Sequence, residues 1–229
     1  MKVAIILARE GSKRIPKKNI KEFCGKPIIY WTITKIKESN LFDKIIVSTD
    51  SKEISSLALE NGAEVPFIRP KALSDGHSST LDVMQHAVSW LIKEKFELEL
   101  VCCAYATSVF QDLDLLKVGM DKIKEEKWEA SMSVTEFNYS VFRSFFTSQS
   151  DGLEMVFPDQ YEERSQDLPK TYHDAAQFYL AAPEFWLAKK VFYSNKTFPV
   201  EFPSSTLIDI DTIEDWALAE LIFKTHHMS

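Results

Sequence analysis

The segment from Ala8 to Asn19 concentrates positive charge and hydrogen-bond donors in a chain that is otherwise acidic. Five of the 27 Lys and Arg residues lie in it, although the formal net charge of the 229-residue chain is -7. Its donor side chains are Arg9, Ser12, Lys13, Arg14, Lys17, Lys18 and Asn19. Several cationic donors on one loop suit a polyphosphate, and Gly11 would let the backbone approach a phosphate closely.

The position of this loop favours a phosphate site over a solvated basic turn, which is the usual explanation for an isolated run of charge. The loop directly follows an apolar run at residues 3–7, which predicts a buried strand. The carboxyl end of a parallel strand is where an α/β sheet binds its ligands. The loop has neither the Gly-Lys-Ser/Thr ending of a P-loop nor the G-x-G-x-x-G pattern of a dinucleotide-binding turn.

Asp209 and Asp211 form the second feature with chemical potential. We predict a short strand at residues 207–211, and alternate residues of a strand point to one face, so the two carboxylates would converge. Two carboxylates on one face suit Mg²⁺, which keeps several waters and bridges phosphate oxygens. Taken alone, a D-x-D pattern is better explained by an exposed strand end and a helix N-cap. The cationic loop strengthens the metal prediction because it calls for a metal–triphosphate partner.

Two further polar segments could contact a ligand. Residues 164–167 and 172–177 suit a hydroxylated, carboxylated molecule, and the neighbours His173 and Asp174 suggest acid–base chemistry. Adjacency in sequence does not bring two side chains together, so we favour a binding or structural role over a general base. Arg69 ends a predicted strand, and residues 75–80 open a predicted helix whose N-terminus could bind anions or sugar hydroxyls. Taken alone, this last segment is better explained by ordinary N-capping.

The elements that must position these residues alternate between strand and helix. Apolar periodicity predicts strands at residues 3–7, 44–50, 63–68, 98–104, 130–135, 177–181 and 207–211. It predicts helices at residues 27–38, 51–61, 81–95, 115–127 and 212–223, and one starting at residue 183. This alternation predicts a parallel, doubly wound α/β sheet in a single domain over residues 1–229. Aromatic and polar residues mix between residues 137 and 175, where we predict a β-rich insertion.

Composition limits the partners and the compartment. The acidic balance argues against a nucleic-acid partner, since nucleic-acid-binding proteins usually present a broad basic face. No segment approaches the roughly 18 apolar residues that span a membrane. The apolar run near the N-terminus is too short for a signal peptide. Three cysteines without a framework spacing, Cys24, Cys102 and Cys103, are typical of reduced thiols in the cytoplasm.

In their order and spacing, these segments resemble the CMP-sialic acid synthetase family, and the resemblance covers nearly the whole chain. The family's nucleotide-binding signature R-x-x-S-K-x-x-x-x-K-N is filled by Arg9, Ser12, Lys13, Lys18 and Asn19. Residues 46–50, 69–70 and 208–212 also match. Residues 164–168, 172–175 and 177–179 resemble the pseudaminic acid cytidylyltransferase branch of that family. The chain departs from the common pattern at Glu10, at residues 105–109, and at Ala176, where a glycine is frequent.

The resemblance implies a Rossmann-like, mostly parallel sheet of the nucleotide-diphospho-sugar transferase type, with the insertion serving dimerisation and sugar binding. It implies that CTP and a nonulosonic acid, pseudaminic acid above all, give a CMP-sugar and pyrophosphate for flagellin glycosylation or surface polysaccharide. The C2 hydroxyl would attack the α-phosphorus, with Mg²⁺ as cofactor on Asp209 and Asp211. The protein would be a cytoplasmic homodimer.

The resemblance also assigns roles to individual residues. The implied catalytic residues are Arg9, Lys18, Asp209 and Asp211. The implied nucleotide-binding residues are Ala8, Arg9, Gly11, Ser12, Lys13, Lys18, Asn19, Arg69 and Thr80. The implied sugar-binding residues are Tyr105, Arg143, Arg164, His173, Gln177 and Tyr179.

Three alternatives stay open at this point. The acceptor could be legionaminic acid, N-acetylneuraminic acid or the eight-carbon keto-deoxy-octulosonic acid. The chain could be a metal-dependent sugar hydrolase or a glycosyltransferase of similar fold, although a hydrolase needs no triphosphate-binding loop. It could also be a non-catalytic nucleotide-binding module, against which the retained acids Asp209 and Asp211 argue.

Overall fold

The β-strands of the computed structural model, which describes residues 1–147 and 152–227, form one central sheet and two small hairpins. The strands are β1 (Lys2–Leu7), β2 (Glu22–Phe23), β3 (Lys26–Pro27), β4 (Lys44–Ser48), β5 (Leu100–Tyr105), β6 (Ala130–Glu136), β7 (Phe145–Thr147), β8 (Leu153–Met155), β9 (Tyr172–Ala181) and β10 (Thr197–Phe202). The helices are α1 (Ile28–Ser39), α2 (Lys52–Glu60), α3 (Thr80–Lys93), α4 (Leu113–Ile123), α5 (Pro183–Leu187) and α6 (Ile213–His227).

The central sheet is mostly parallel and has the strand order β10-β6-β9-β5-β1-β4. β1 pairs in parallel with β4 and β5, and β10 pairs in parallel with β6. β9 is antiparallel to both β5 and β6, so the sheet is mostly parallel, as the resemblance implies, and β9 departs from the parallel direction that the alternation of elements predicts. Among the described residues between β6 and β9 there is no α-helix to serve as a crossover, and a return without a crossover gives an antiparallel pair.

Helices cover both faces of the sheet, as the alternation of elements predicts. Along β1, Ala4 and Ile6 face a core with residues of α1, α4 and α6, whereas Val3 and Ile5 face a core with residues of α3 and α5. This alternation follows from the two-residue period of a strand buried on both sides. Within the described ranges, no helix is long and apolar enough to cross a bilayer.

Several predicted boundaries and elements need correction. Residues 63–68 form only two isolated bridges, Ile46 with Glu64 and Thr49 with Ile68, and not a strand. Residues 207–211 have no regular secondary structure. β10 was not predicted, because Pro199 lies within it; proline is tolerated there because β10 is an edge strand.

The predicted β-rich insertion contains less strand than expected. Between residues 137 and 175 the structure has the short β7–β8 hairpin, two single turns of 3₁₀ helix and the first four residues of β9. Residues 148–151 of the predicted insertion lie outside the described residues. The remainder is turn and irregular backbone, because its aromatic residues do not alternate with the two-residue period of a strand.

Candidate active site

A cavity of about 580 Å³ opens at the carboxyl ends of the central strands. Leu7 and Tyr105, the paired last residues of β1 and β5, lie in its wall, which is where an open α/β sheet binds ligands. Of the predicted site residues it brings together Arg9, Gly11, Ser12, Lys13, Lys18, Asn19, Arg69, Thr80, Tyr105, Tyr179, Asp209 and Asp211.

The cationic loop is folded back on itself and held by its own side chains. Ile15 is fully buried and anchors the loop in the core. Asn19 donates its Nδ2 hydrogen to the carbonyl of Arg9 at 2.8 Å, which ties the end of the loop to its beginning. A Cβ on Gly11 would meet no atom within 4 Å, so the space beside this residue is open to a ligand.

Lys18 links the loop to the acid pair. Its Nζ donates to the carbonyl of Ile210 at 2.7 Å and lies 3.5 Å from Oδ1 of Asp211. Arg14 also contacts Asp211, with Nη2 2.7 Å from the same oxygen. Burial, followed by the charge of Asp211, raises the pKa of Asp209, and Lys18 partly opposes this shift. The two carboxylates are therefore close enough to repel each other.

The acid pair converges although no strand holds it. The carboxylate of Asp215 accepts hydrogen bonds from the backbone N–H groups of Asp211 (3.0 Å) and Thr212 (2.7 Å). In return, the N–H of Asp215 donates to Oγ1 of Thr212 at 3.2 Å. This reciprocal capping at the start of α6 fixes the backbone directly after the pair. The predicted convergence of Asp209 and Asp211 thus has a different cause from the predicted one.

Arg69 lies in the floor of the cavity. Its Nε donates to Oγ of Ser48 at 3.1 Å, and its Nη2 donates to the Ser48 carbonyl at the end of β4. Burial lowers the pKa of Arg69 to about 10, which leaves the guanidinium charged at neutral pH. A buried cation next to the loop adds to the positive potential of this half of the cavity.

The start of α3 borders the opposite wall. Ser79 and Asp82 form a reciprocal capping box, in which Oγ of Ser79 accepts from the N–H of Asp82 at 3.1 Å. Thr80 then presents its hydroxyl to the cavity, 2.8 Å from the hydroxyl of Tyr105. The N-capping that explains this segment from the sequence is present, and Thr80 lines the cavity as well.

Four predicted sugar-binding residues do not line the cavity: Arg143, Arg164, His173 and Gln177. Gln177 is buried; its Oε1 accepts from the N–H of Phe110 and its Nε2 donates to the carbonyl of Ala175. His173 is exposed, with its ring 4.7 Å from that of Phe137. Neither residue lines the cavity, and their sugar-binding role stays a prediction.

Neither of the two predicted arginines lines the cavity. Arg164 lies in the segment between β8 and β9, and Arg143 contacts this segment. Arg143 donates through Nη1 to the carbonyls of Gln160 and Tyr161, at 2.9 and 2.8 Å, and through Nη2 to that of Glu163. Arg164 is exposed on the turn that follows. Ala8, predicted to bind nucleotide, is also fully buried, and its N–H donates to the carbonyl of Ser48. None of the three reaches the cavity.

Arg14 and Asp174 are two of the cavity-lining residues that the predicted set omitted. Arg14 contacts Asp211, and Asp174 on β9 lies next to the predicted His173 but on the cavity side. The signal for Arg14 was its place among the loop cations. No sequence signal indicates Asp174, because strict alternation back from Tyr179 would place Gln177 and His173, and not Asp174, on the cavity face.

Comparison with known proteins agrees with this geometry. The family model described as cytidylyltransferase matches residues 3–226. A pseudaminic acid cytidylyltransferase from Campylobacter jejuni is 37% identical over 227 residues, which cover 99% of this chain and 98% of the relative. A CMP-N,N'-diacetyllegionaminic acid synthase from Legionella pneumophila is 31% identical, over 97% of this chain and 96% of the relative.

A solved structure supports the fold. CMP:2-keto-3-deoxy-manno-octonic acid synthetase complexed with CTP superposes with a TM-score of 0.71 at 12% identity, over 98% of both chains. At this identity the likeness concerns the α/β architecture alone. The family match extends over the loop, the acid pair and the sheet that joins them, and the chain belongs to the cytidylyltransferase family.

Proposed function

We propose that this chain transfers CMP from CTP to the anomeric hydroxyl of a nonulosonic acid, with pseudaminic acid as acceptor, and releases pyrophosphate. One observation carries the proposal: the cationic loop and the acid pair face one cavity, where Lys18 of the loop contacts Ile210 and Asp211. The name of the Campylobacter jejuni relative, at 37% identity over nearly the whole of both chains, supports pseudaminic acid as the acceptor.

The loop supplies the charge that a triphosphate needs. Arg9, Ser12, Lys13 and Lys18 line the cavity and would hold the phosphates, which become more negative as pyrophosphate leaves. The bond from Asn19 to the Arg9 carbonyl and the burial of Ile15 hold the backbone of the loop that carries them. Asn19 and Arg69 would contact the cytidine or its phosphates, and Thr80 the ribose or base.

The acid pair fits Mg²⁺. Within the described residues, no three or more His, Cys, Asp or Glu side chains come together as a metal cage. Mg²⁺ needs no such cage, because it commonly takes one or two carboxylates together with waters and substrate phosphates. Burial and then the charge of Asp211 raise the pKa of Asp209, and a cation bound to the pair would offset the repulsion between the two carboxylates. When bound, Mg²⁺ would stabilise phosphate charge and lower the pKa of the attacking hydroxyl.

We also propose a homodimer that uses the segment between β6 and β9. This segment exposes aromatic and aliphatic side chains: Tyr139 is 88% exposed and Leu153 72%, with Phe145 and Phe146 about half exposed. A cluster of this kind is typical of an association surface. Sedimentation velocity of the native protein and of a Phe145→Ser/Leu153→Ser variant tests it. A native monomer would contradict the proposal.

The cytoplasm is the proposed compartment, because Cys24, Cys102 and Cys103 are all free thiols. The product would then supply flagellin glycosylation or surface polysaccharide synthesis. Secretion of the native protein into culture medium, measured by cell fractionation, would contradict the assignment.

The substrate proposal is tested by a panel of nucleotides and acids. Purified protein is incubated with CTP, UTP, ATP or GTP and with pseudaminic, legionaminic, N-acetylneuraminic or keto-deoxy-octulosonic acid, and pyrophosphate is measured. We expect CTP with pseudaminic acid to give the highest kcat/KM. A higher value with another acid would replace the acceptor, and nucleotide binding without turnover would favour a non-catalytic module.

Two lysine variants accompany the panel. Lys18→Gln should lower kcat by roughly 10²–10³, the usual effect of losing one preorganised transition-state donor. Lys52→Gln removes the same charge from an exposed position at the start of α2, away from the cavity, and should leave kcat unchanged. Equal kcat values for the two variants would contradict the role of the loop.

A further inference from the structure

The wall of the cavity that β5, β9 and the start of α3 form carries hydroxyls and aromatic rings. The hydroxyls of Thr80 and Tyr105 are 2.8 Å apart, and the rings of Tyr105 and Tyr179 meet edge to face at 5.8 Å. Tyr179 donates its hydroxyl hydrogen to Oδ2 of Asp174 at 2.5 Å. Asp174 therefore ends a row of polar groups, and the chemistry proposed above gives it no role.

The backbone of β9 is irregular where it presents Asp174. Met132 of β6 pairs with Tyr179, but Val134, only two residues further, pairs with Asp174. β9 thus has extra residues at this point and bulges away from β6. Oγ of Ser133 fills the bulge and accepts from the N–H groups of Gln177 (2.9 Å) and Phe178 (3.1 Å). Because of the bulge, Asp174, Ala176 and Tyr179 all reach the cavity.

Ala176 maintains the bulge in a strained conformation. Its φ is 53°, in the left-handed region that is unfavourable for a residue with a Cβ. Two hydrogen bonds hold it there: its N–H donates to Oδ1 of Asp174 at 2.8 Å, and Oγ of Ser108 donates to its carbonyl at 2.6 Å. Strain that the surroundings maintain in this way is concentrated at functional sites.

The two carboxylate oxygens of Asp174 thus have separate tasks. Oδ1 accepts from the Ala176 N–H and supports the turn, whereas Oδ2 accepts only hydroxyls, from Tyr179 and, at 3.4 Å, from Tyr193. Tyr193 is 76% exposed, so its weak hydrogen bond can be exchanged for one from a ligand. Oδ2 is an acceptor that faces the cavity and is kept in place by a buried tyrosine.

Charge decides which ligand group Oδ2 can meet. The field of Asp174 is among those that raise the pKa of Asp209, so the negative charge of Asp174 acts on the proposed metal-binding half of the cavity. A carboxylate repels phosphates and the carboxylate of a nonulosonic acid. It binds hydroxyl or amide hydrogens, and such charge-assisted bonds are about twice as strong as neutral ones. A sugar acid with hydroxyl and acylamino groups offers these donors.

We propose that Asp174, oriented by Tyr179, determines acceptor specificity by accepting a hydrogen bond from a hydroxyl or acylamino N–H of the sugar acid. Tyr193 yields its place on Oδ2 when the acceptor binds. The inference rests on the proposed function, since it names the acceptor contact of the same cavity. A site that hydrogen-bonds one substrate group in this way discriminates against analogues that lack the matching donor.

Asp174→Asn is the decisive variant, because asparagine keeps an oxygen for the Ala176 N–H and replaces the acceptor Oδ2 by an NH2 donor. We expect kcat/KM for pseudaminic acid to fall by roughly 10- to 100-fold, the usual effect of losing a hydrogen bond to a charged group. KM for CTP and the unfolding midpoint should stay unchanged. The preference for pseudaminic over legionaminic acid should shrink. Asp121→Asn, an exposed acid on α4 that pairs with Lys124, is the matched control.

Tyr179→Phe tests the positioning role separately. It removes the hydroxyl that orients Oδ2 and should raise KM for the acceptor while leaving KM for CTP unchanged. Calorimetric titration with pseudaminic acid gives a readout that does not depend on turnover. If Asp174→Asn binds pseudaminic acid with the same affinity as the native protein, the inference is overturned and the proposed function is unaffected. A parallel loss of CTP affinity and stability would make Asp174 structural, which also overturns the inference. No binding of the acid and no pyrophosphate release by the native protein would refute the proposed function itself.

Discussion

Replacing Asp211 by Asn separates a structural role from a catalytic one, because the two roles predict effects of different size. The carboxylate pairs with Arg14 at 2.7 Å, but the two side chains are 38% and 66% exposed. An ion pair this exposed contributes at most about 1 kcal/mol to stability. A group on which transition-state charge stabilisation depends contributes about 3–4 kcal/mol, or roughly 10²–10³ in kcat, and Asp211 would be such a group by holding the proposed Mg²⁺. Asp211→Asn should therefore lower kcat far more than it lowers the free energy of unfolding.

The assay follows pyrophosphate release at saturating CTP and acceptor, and urea unfolding measures stability on the same preparations. Glu214→Gln is the matched control, because Glu214 is an exposed acid in the first turn of α6 that does not line the cavity. The ratio of kcat values converts to a loss of transition-state free energy. A kcat for Asp211→Asn within about threefold of the native value would refute a catalytic role for Asp211. A large loss of stability at nearly native kcat would make Asp211 a structural residue.

Three further substitutions test neighbouring parts of the account. Burial and Asp211 raise the pKa of Asp209, which penalises the folded state at any pH above that pKa. Asp209→Asn should thus raise the free energy of unfolding at neutral pH, and the gain in urea titrations should vanish as pH falls through the raised pKa; a pH-independent difference would contradict this. Gln177→Met removes two buried hydrogen bonds and should cost about 1–3 kcal/mol in urea unfolding at unchanged acceptor KM. A higher acceptor KM at native stability would restore Gln177 as a sugar contact. If the Arg14 guanidinium leaves Asp211 to bind the triphosphate, Arg14→Gln should raise KM for CTP by roughly tenfold. Lys17→Gln in the same loop removes a cation that pairs with Glu53 and should leave this KM unchanged. Equal KM values for the two variants in steady-state kinetics would exclude a move of Arg14 from Asp211 to the triphosphate.

The parts of the fold that depend on local patterns could be predicted from the sequence. The apolar run of β1 and the apolar spacing of α3 indicate these elements because burial of a strand or helix face selects apolar residues at the corresponding period. The antiparallel direction of β9 could not be predicted in this way, because it depends on how the chain returns from residues 137–171. Pro199 argues against a strand at β10, because proline is tolerated mainly at the edge of a sheet and the sequence does not show that β10 lies there.

The candidate site was predictable where it lies on one loop and less so where distant residues meet. The loop cations follow directly from β1, and most of them line the cavity. Arg14 and Asp211 are 197 residues apart, and no spacing rule links them. Asp174 lines the cavity and the predicted His173 does not, because of the bulge at Ala176. Strict alternation along a strand does not indicate such a bulge. Asp209 and Asp211 converge through the cap that Asp215 forms, not through a strand.

The central claim is that the acceptor hydroxyl attacks the α-phosphorus of CTP in the cavity between the cationic loop and the acid pair. The most direct measurement is the product balance with CTP and pseudaminic acid, by mass spectrometry of the nucleotide products and enzymatic determination of pyrophosphate and orthophosphate. The account predicts the CMP-sugar and pyrophosphate in equal amounts, both lost together in Lys18→Gln and Asp211→Asn. Free CMP, orthophosphate, or pyrophosphate formed without a linked sugar would contradict it.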